Sequence, residues 1–247
     1  MKYLVVLCAL VYFVQGKVLP DRVSNLLCRK SDPEYEKCIR KNLEKSIPQL
    51  VKGVPEFNMP PIDPLELPFV TVDRTINELV SINAILKNVK VIGASNFVIE
   101  DIRANPHNYT AEMRLTFPWT HLEMDYDVNG QLLIVPLRSK GYFNGNFTET
   151  QLYVRGNLKT VDKNGVKYFR VDKFSMKIRV GDGRVKLISE NPELQFGADL
   201  IANFYNDNPR RVMDAINPIF VETATELYRV VLDQVLSAVP AKEWLPE

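Results

Sequence analysis

The most regular hydrophobic pattern in the chain lies near its C-terminus, over residues 209–239. Apolar residues recur there at steps of three and four, which is the spacing of a helix with one buried face. They are Val212, Ile216, Ile219, Phe220, Leu227, Val231, Val235 and Val239. Neighbouring apolar residues widen that face and leave only a narrow polar strip. Such a helix would be roughly 45 Å long at about 1.5 Å per residue, and we expect a large sheet to wrap around it.

Alternating apolar and polar residues predict strands in the middle of the chain. One alternating set covers residues 109–117, a second covers 122–128, and a third covers 174–180. The apolar phase changes between the first two sets, so we expect a bulge or bend at Pro118-Trp119. The pattern predicts a long and strongly curved antiparallel sheet.

Three dipeptides favour tight hairpin turns, because Asn, Asp and Gly tolerate the positive φ angles that these turns need. They are Asn129-Gly130, Asn164-Gly165 and Asp182-Gly183. Together they indicate an antiparallel meander rather than a parallel α/β sheet.

The N-terminal part contains a signal peptide, a helix and a connector. Residues 1–16 hold Lys2 and then a short apolar run, which is typical of a secretory signal peptide and too short to span a bilayer. Residues 33–50 predict an amphipathic helix, and the prolines between Pro48 and Pro64 predict an extended connector. The shared helix face consists of Tyr35, Ile39, Leu43, Ile47 and Leu50. We expect one domain over residues 17–247.

Charge and cysteine content agree with a secreted protein. The chain has 31 Lys and Arg against 30 Asp and Glu, and loss of Lys2 with the signal peptide makes the two equal. No net charge therefore favours nucleic acid or an anionic membrane. Cys8 leaves with the signal peptide, and we interpret Cys28 and Cys38 as a disulfide; two free thiols or a metal pair is the alternative. Asn108 and Asn146 begin glycosylation sequons, expected in surface loops or at strand ends.

Known catalytic motifs are absent from the sequence. It has two histidines, His107 and His121, and no nucleophile elbow, zinc motif or phosphate-binding glycine loop. His121, Glu123, Asp125 and Asp127 share one strand face, where a metal site is possible, but a solvated face is the favoured interpretation. We therefore expect no enzyme activity, no cofactor and no metal.

Two residue sets are candidates for binding. Basic residues surround Asp182-Gly183 and form an exposed ribbon, for which contact with a membrane or a partner is the alternative interpretation; they are Lys173, Lys177, Arg179, Arg184 and Lys186. Large residues on the apolar faces are candidates for the lining of a ligand tunnel. They are Phe97, Phe117, Trp119, Tyr126, Phe143, Phe174, Met176, Ile216, Phe220, Leu227 and Val231.

Several motifs follow one another along the chain. They are Cys28 and Cys38, the segment Gly53-Val54-Pro55 with Pro60-Pro61-Ile62-Asp63-Pro64-Leu65, the run Asn203-Phe204-Tyr205-Asn206-Asp207-Asn208, and the ending Ala238-Val239-Pro240 with Trp244-Leu245-Pro246. With the signal peptide, these residues resemble the takeout and juvenile hormone-binding proteins of insects over almost the whole chain. The proline-rich segment is the most specific part of the resemblance.

This resemblance implies an α+β fold, a super-roll in which a strongly curved antiparallel sheet winds around one long C-terminal helix and encloses an apolar tunnel. The architecture is similar to that of the lipid-binding modules of bactericidal permeability-increasing proteins. Members of the family are carriers in haemolymph, antennae or fat body, and some are linked to circadian output, feeding, courtship or hormone transport.

Three functional hypotheses follow. The leading one is a secreted, monomeric carrier of an elongated apolar molecule such as a terpenoid hormone, a fatty-acid derivative or an odorant. The second is a secreted signalling protein with a constitutively filled cavity, whose surface binds an unidentified receptor. The third, an esterase, would have to use His107 or His121 and is disfavoured by the residue inventory.

Overall fold

The computed structural model describes residue 19 and residues 21–57, 59–77, 80–132 and 135–247. It does not extend to the side chains at 22, 74–77, 80, 82, 131, 132, 135–137, 215, 216, 219 and 220. The predicted signal peptide and the side chains of Ile216 and Phe220 therefore lie outside the described residues.

Helices lie at both ends of the described chain and strands lie between them. The helices are α1 (Asp21–Ser24), α2 (Tyr35–Lys52), α3 (Gln195–Asp207), α4 (Pro209–Ser237) and α5 (Ala241–Trp244). The strands are β1 (Leu65–Asn77), β2 (Val80–Ile92), β3 (Val98–Asn105), β4 (Thr110–Leu132), β5 (Val135–Lys163), β6 (Val166–Arg179) and β7 (Asp182–Ser189). Helices α2 and α4 correspond to the two predicted helices.

One antiparallel sheet contains all seven of these strands, and the long hairpin of β4 and β5 is its centre. Strands β2 and β3 follow one another along the outer side of β4. Strands β6 and β7 do the same along β5, and β1 pairs with β2. The predicted class, a curved antiparallel sheet with one long C-terminal helix, is confirmed.

Only one of the three predicted hairpin turns is present. Asn164 and Gly165 join β5 to β6 with φ angles of 55° and 79°. The prediction is wrong for Asn129-Gly130, which lies inside β4 and pairs with both neighbouring strands. It is also wrong for Asp182-Gly183, which begins β7. Strands β6 and β7 run in the same direction, one after the other along β5, so the chain does not reverse at this dipeptide.

The predicted change of phase at Pro118-Trp119 is present in the packing. Met113, Leu115 and Phe117 belong to a core cluster around Ile99 and Ile102. Beyond Trp119 the inward residues are Leu122, Met124, Tyr126 and Val128, in a second cluster around Val72 and Leu86. The pairing of β4 with β5 keeps one register across this point, so both strands exchange their inner and outer faces together.

Three helices cover the free edges of outer strands with polar side chains. On β3, Arg40 of α2 donates to the Ile99 carbonyl, and Glu36 accepts from the Ala104 amide at 2.9 Å. On β6, Asn217 of α4 donates to the Ile178 carbonyl, and Asp233 accepts from the Val171 amide at 2.9 Å. These contacts pair backbone groups that an exposed sheet edge would leave open to another chain.

Helix α3 covers the edge of β7 in the same way. The Asn206 amide accepts from the Val185 N–H at 2.8 Å and donates to its carbonyl at 3.0 Å. The Gln195 amide accepts from the Ser189 N–H at 2.8 Å and donates to the Leu187 carbonyl at 3.0 Å. Both side chains thus replace a neighbouring strand, and α3 is fixed along β7.

A third core cluster joins the two ends of the chain. Val54 and Phe57, from the connector after α2, are buried together with Leu19 and Val239. The Phe57 ring lies 5.7 Å from the ring of Trp244. The chain ends therefore meet at the end of the sheet formed by β3 and β6.

Candidate ligand-binding site

A cavity of about 580 Å³ lies where the chain ends meet the sheet. Strands β3 to β6 form its floor, and the residues between α1 and α2, helix α2 and the end of α4 form its roof. Its volume falls within the range of about 300 to 1,000 Å³ that small-molecule sites occupy.

The floor consists of side chains from the inner face of the sheet. Ile102, Met113, Val154, Leu158, Phe169, Val171 and Phe174 contribute to it. The Phe169 ring meets the ring of Tyr109 edge-on, with centroids 5.0 Å apart. Since these residues come from four adjacent strands, sheet pairing fixes their relative positions.

The roof is formed mainly by one face of α2. Tyr35, Ile39 and Leu43 of this face line the cavity. No residue of α2 is fully buried; Ile39 and Leu43 line the cavity and also pack against the core cluster around Ile99 and Ile102.

The predicted disulfide between Cys28 and Cys38 is confirmed and belongs to the cavity wall. It ties α2 to the segment before it. The side-chain nitrogen of Asn42 donates to both sulfur atoms, at 3.5 Å for Cys28 and 3.4 Å for Cys38. The disulfide thus fixes a part of the roof and the orientation of one polar side chain in it.

Helix α4 contributes Leu232 and Leu236, and Tyr228 lies one turn earlier on the same face. Tyr228 exposes 45 % of its surface, yet burial raises the pKa of its hydroxyl.

Few polar groups line the cavity, and Glu112 is the one charged residue among its described lining. The Glu112 carboxylate pairs with Arg155 at 3.2 Å. Burial raises the pKa of Tyr35, and its hydroxyl has no hydrogen-bond partner within the described part of the chain. The remaining polar lining residues are Asn42, Ser46, Asn105, Tyr109 and Thr110. The site therefore offers neutral hydrogen-bonding groups and no cation from the described lining.

Of the predicted lining residues, Phe174 lies at this cavity. Phe97 and Phe117 pack against each other at 6.1 Å in the core cluster beside it. Tyr126 is buried in the second cluster, with Phe143 packed against it. Met176 is buried, Leu227 is exposed and Val231 is half-buried. Ligand contact at these residues stays a prediction.

Trp119 lies elsewhere, on the outer face of the sheet. Its side chain is 42 % exposed, and its ring stacks on His121 with centroids 6.4 Å apart. Along β4 it lies nine residues beyond Thr110, the end nearest α2, and it pairs with Thr148. A ligand between sheet and helix would therefore not reach its exposed face.

Most of the lining residues were not among the predicted set. The face of α2 was a visible signal, since Tyr35, Ile39 and Leu43 recur with helical spacing and Cys38 tethers the same helix. Leu236, Trp244 and Leu245 carry no local signal for a site. They reach the cavity because Lys30 donates its N–H to the Pro246 carbonyl at 2.7 Å and Trp244 packs on Phe57.

The other candidate residues lie outside the cavity. His121 contacts Glu123 at 3.0 Å and Asn146 at 2.8 Å on the outer face, and its hydrogen bond lowers the pKa of Glu123. The structure contains no group of three or more potential metal ligands among its described residues. Asn108 is exposed in a turn, as expected, but Asn146 is exposed in the middle of β5, so its predicted place in a loop or at a strand end is wrong.

The family model of the haemolymph juvenile hormone binding proteins matches residues 3–246. The chain belongs to this family. The match spans the strands, the disulfide and both ends of the cavity, so the family resemblance seen in the sequence is confirmed.

Two relatives of this chain have low sequence identity to it. The circadian clock-controlled protein daywake of Drosophila yakuba is 20% identical over 221 residues, which are 85% of this chain and 84% of that protein. A Schistocerca gregaria protein named "Putative beta-carotene-binding protein" is 24% identical over 154 residues, or 61% of this chain and 60% of that protein.

A solved structure shares the fold. The crystal structure of Takeout 1 from Epiphyas postvittana superimposes with a TM-score of 0.69 at 20% identity, covering 90% of this chain and 99% of that one. At this identity the similarity establishes the architecture alone. Among the helices described here, none combines the length and the apolar character needed to cross a membrane.

Proposed function

We propose that this protein is a carrier that holds an elongated lipophilic molecule in the cavity between the sheet, α2 and α4. The observation that carries this proposal is a cavity of about 580 Å³ with a largely apolar lining drawn from both ends of the chain. Membership of the haemolymph juvenile hormone binding family supports it. An insect hormone, a carotenoid or an odorant would have the apolar character that this lining requires.

The hydrophobic effect is large enough for useful affinity. A ligand that buries ten CH₂-like groups gains about 8 kcal/mol, at about 0.8 kcal/mol each. Association costs about 4 kcal/mol or more of lost translational and rotational freedom. Further contacts with Phe169 and Phe174 on the floor and Leu236 on α4 add to the favourable side. Affinities between micromolar and nanomolar are therefore expected.

We further propose that the polar end of the ligand is neutral. An ionised carboxylate would find no cation among the described lining, and burial of an unpaired charge costs several kcal/mol. The Tyr35 hydroxyl has no hydrogen-bond partner among the described residues and burial raises its pKa, so it stays protonated and can donate. An ester, ketone, alcohol or ether oxygen fits that donor.

A displacement assay tests this proposal. A fluorescent apolar probe is bound first, and a long-chain methyl ester and the matching free acid then compete at pH 7.5. We expect the ester to displace the probe at least about tenfold more effectively than the acid, because burying the ionised acid without a partner is costly. Failure of the probe and of both competitors to bind would contradict the carrier function itself.

The variant Tyr35→Phe refines the same assay. Loss of one neutral hydrogen bond should weaken the ester about threefold to tenfold and leave a hydrocarbon probe unchanged. Tyr153→Phe, the same change on the exposed outer face of β5, is the matched control. Equal affinity of wild type and Tyr35→Phe for the ester would remove Tyr35 from the proposal.

We also propose that the protein is extracellular. Residues 1–16 act as a signal peptide, residues 17–247 form one domain, and the mature chain is a monomer. Asn108 and Asn146 are exposed and available for glycosylation. The disulfide of Cys28 with Cys38 suits an oxidising compartment.

A further inference from the structure

Helix α3 has one face against the sheet and an opposite face that no described residue covers. Ala198, Ala202 and Tyr205 are buried against β7 and β5. On the other side Phe196 is 81 %, Leu200 62 % and Phe204 63 % exposed, and Ile201 is 49 % exposed. None of these four residues lines the cavity. Monomeric proteins rarely leave a contiguous apolar patch of this kind without a binding role.

Basic residues lie directly beside this face. The Gln195 and Asn206 amides hold α3 along β7 from Ser189 to Val185. The exposed residues of that same stretch of β7 are Arg184, Lys186 and Ile188. The apolar face of α3 therefore borders a strand whose outward side chains are two cations and one further apolar group.

The basic row extends beyond β7, because β6 and β7 run in one line along β5. Lys173, Lys177 and Arg179 are the exposed cations on the same outer face of β6. Lys177 and Arg179 lie two residues apart, about 6.6 Å in a strand, and Lys173 lies four residues before Lys177. The whole row consists of Lys173, Lys177, Arg179, Arg184 and Lys186, the residues expected to form an exposed ribbon. None of these five cations forms an ion pair with a described residue.

Acidic side chains near α3 are mostly engaged. Glu190 pairs with Lys140 at 2.8 Å, and Asp199 accepts from Gln195 on the sheet side of the helix at 2.8 Å. Asp182 accepts the N–H of Gly183 at 2.7 Å. Glu193 and Asp207 lie near the two ends of α3. The neutral Gln195 and Gly183 donors leave Asp199 and Asp182 negatively charged, and the cations Arg184 and Lys186 lie beside the same face.

We propose that the α3 face, defined as Phe196, Leu200, Ile201 and Phe204 with the adjoining Arg184 and Lys186, docks on a phospholipid surface that contains anionic headgroups. Apolar side chains enter the boundary between headgroups and acyl chains, and cations beside them pair with lipid phosphate and carboxylate groups. The unpaired cations favour a phospholipid surface over a second copy of the chain. In a dimer through this face, the cations of the two copies would lie close together and repel each other. Docking is peripheral and independent of the ligand in the cavity.

Vesicle sedimentation tests the proposal with the secreted, disulfide-bonded protein. Vesicles of phosphatidylcholine alone are compared with vesicles that contain about 30 % phosphatidylserine, at 50 and 300 mM NaCl. We expect at least about tenfold stronger binding to the anionic vesicles at low salt, and most of that difference should disappear at high salt.

Two pairs of variants separate the contributions of the face. Phe196→Ser and the double change Arg184→Glu with Lys186→Glu should each weaken binding to anionic vesicles at least about tenfold. Phe69→Ser, at an exposed residue of β1, controls for loss of one exposed aromatic ring. Lys41→Glu with Lys45→Glu, at exposed residues of α2, controls for the change in net charge. Both controls should bind as the wild type does.

Other results would overturn the proposal. Absence of vesicle binding at 50 mM NaCl, or equal binding to neutral vesicles that Arg184→Glu with Lys186→Glu leaves unchanged, excludes an anionic surface as the occupant. A dimer in light scattering that Phe196→Ser dissociates, without vesicle binding, would assign the face to a second copy. Loss of binding in all variants including the controls would show that the face has no special role.

Discussion

At the scale of single residues, polar groups without partners mark where the structure is specialised. The hydroxyl of Tyr205 is buried without a hydrogen-bond partner among the described residues. Burial and the nearby charge of Asp182 raise its pKa to about 12. A Cβ atom at Gly183 would lie 2.9 Å from this hydroxyl oxygen and 2.7 Å from the Phe147 ring, so glycine is needed there for close packing.

This environment predicts the effect of Tyr205→Phe. The change removes an unsatisfied polar atom and keeps the ring, so the free energy of unfolding at pH 7 should stay equal or rise by up to about 1 kcal/mol. In the wild type, ionisation is easier in the unfolded chain, whose tyrosine titrates near 10. Stability is therefore complete below pH 10 and falls as the pH rises from 10 toward 12.

Urea unfolding at pH 7 and pH 11 measures both effects. The wild type should lose more stability between the two pH values than Tyr205→Phe does. Tyr153→Phe, at an exposed tyrosine, should lose as much as the wild type. A loss of more than about 1 kcal/mol at pH 7 in Tyr205→Phe would reveal a hydrogen bond that this account lacks.

At the scale of elements, each helix closes an edge of the sheet and positions one part of the site. Helix α2 caps β3 through Glu36 and Arg40 and presents Tyr35 and Ile39 to the cavity. Its tether, the disulfide of Cys28 with Cys38, closes a loop of ten positions. Because the loop is short, removal of the disulfide should lower the free energy of unfolding by only about 2 to 3 kcal/mol, through the conformational entropy of the unfolded chain.

We therefore expect Cys28→Ser with Cys38→Ser to loosen α2 more than the sheet. Amide hydrogen exchange should accelerate in residues 35–52 and stay slow in β4 and β5, whose long pairing does not depend on the disulfide. Affinity for an apolar probe should fall several-fold, since α2 forms the roof. Equal loss of protection across β4 and β5 would contradict this division.

Local sequence signals predicted the elements better than their connections. The apolar period of α4 and the alternation in β4 were sufficient, because each pattern repeats over several turns or residue pairs. Asp182-Gly183 was wrongly predicted as a turn. Its glycine allows close contact with Phe147 and Tyr205, and the chain does not reverse there. Pairing with a strand more than thirty residues earlier decided this, and no dipeptide carries that information.

At the scale of the whole molecule, the sheet, the capping helices and the joined chain ends produce a cavity at one end and a basic, apolar surface along another edge. The cavity could not be placed from the sequence, because Trp244 and Leu245 approach Tyr35 only after the chain ends meet. Phe174 was found because its strand alternates clearly. A carrier needs both an apolar cavity and a way to reach a source of ligand, and these two regions are separate.

The central claim is that the cavity beside α2 and α4 holds a lipophilic molecule. Native mass spectrometry of the protein secreted from insect cells, followed by solvent extraction, tests it most directly. The account predicts a discrete added mass that extracts as a neutral lipophile, and competition of that lipophile with an apolar probe. A clean ligand-free mass, together with no binding of fluorescent fatty-acid or terpenoid probes, would contradict the claim.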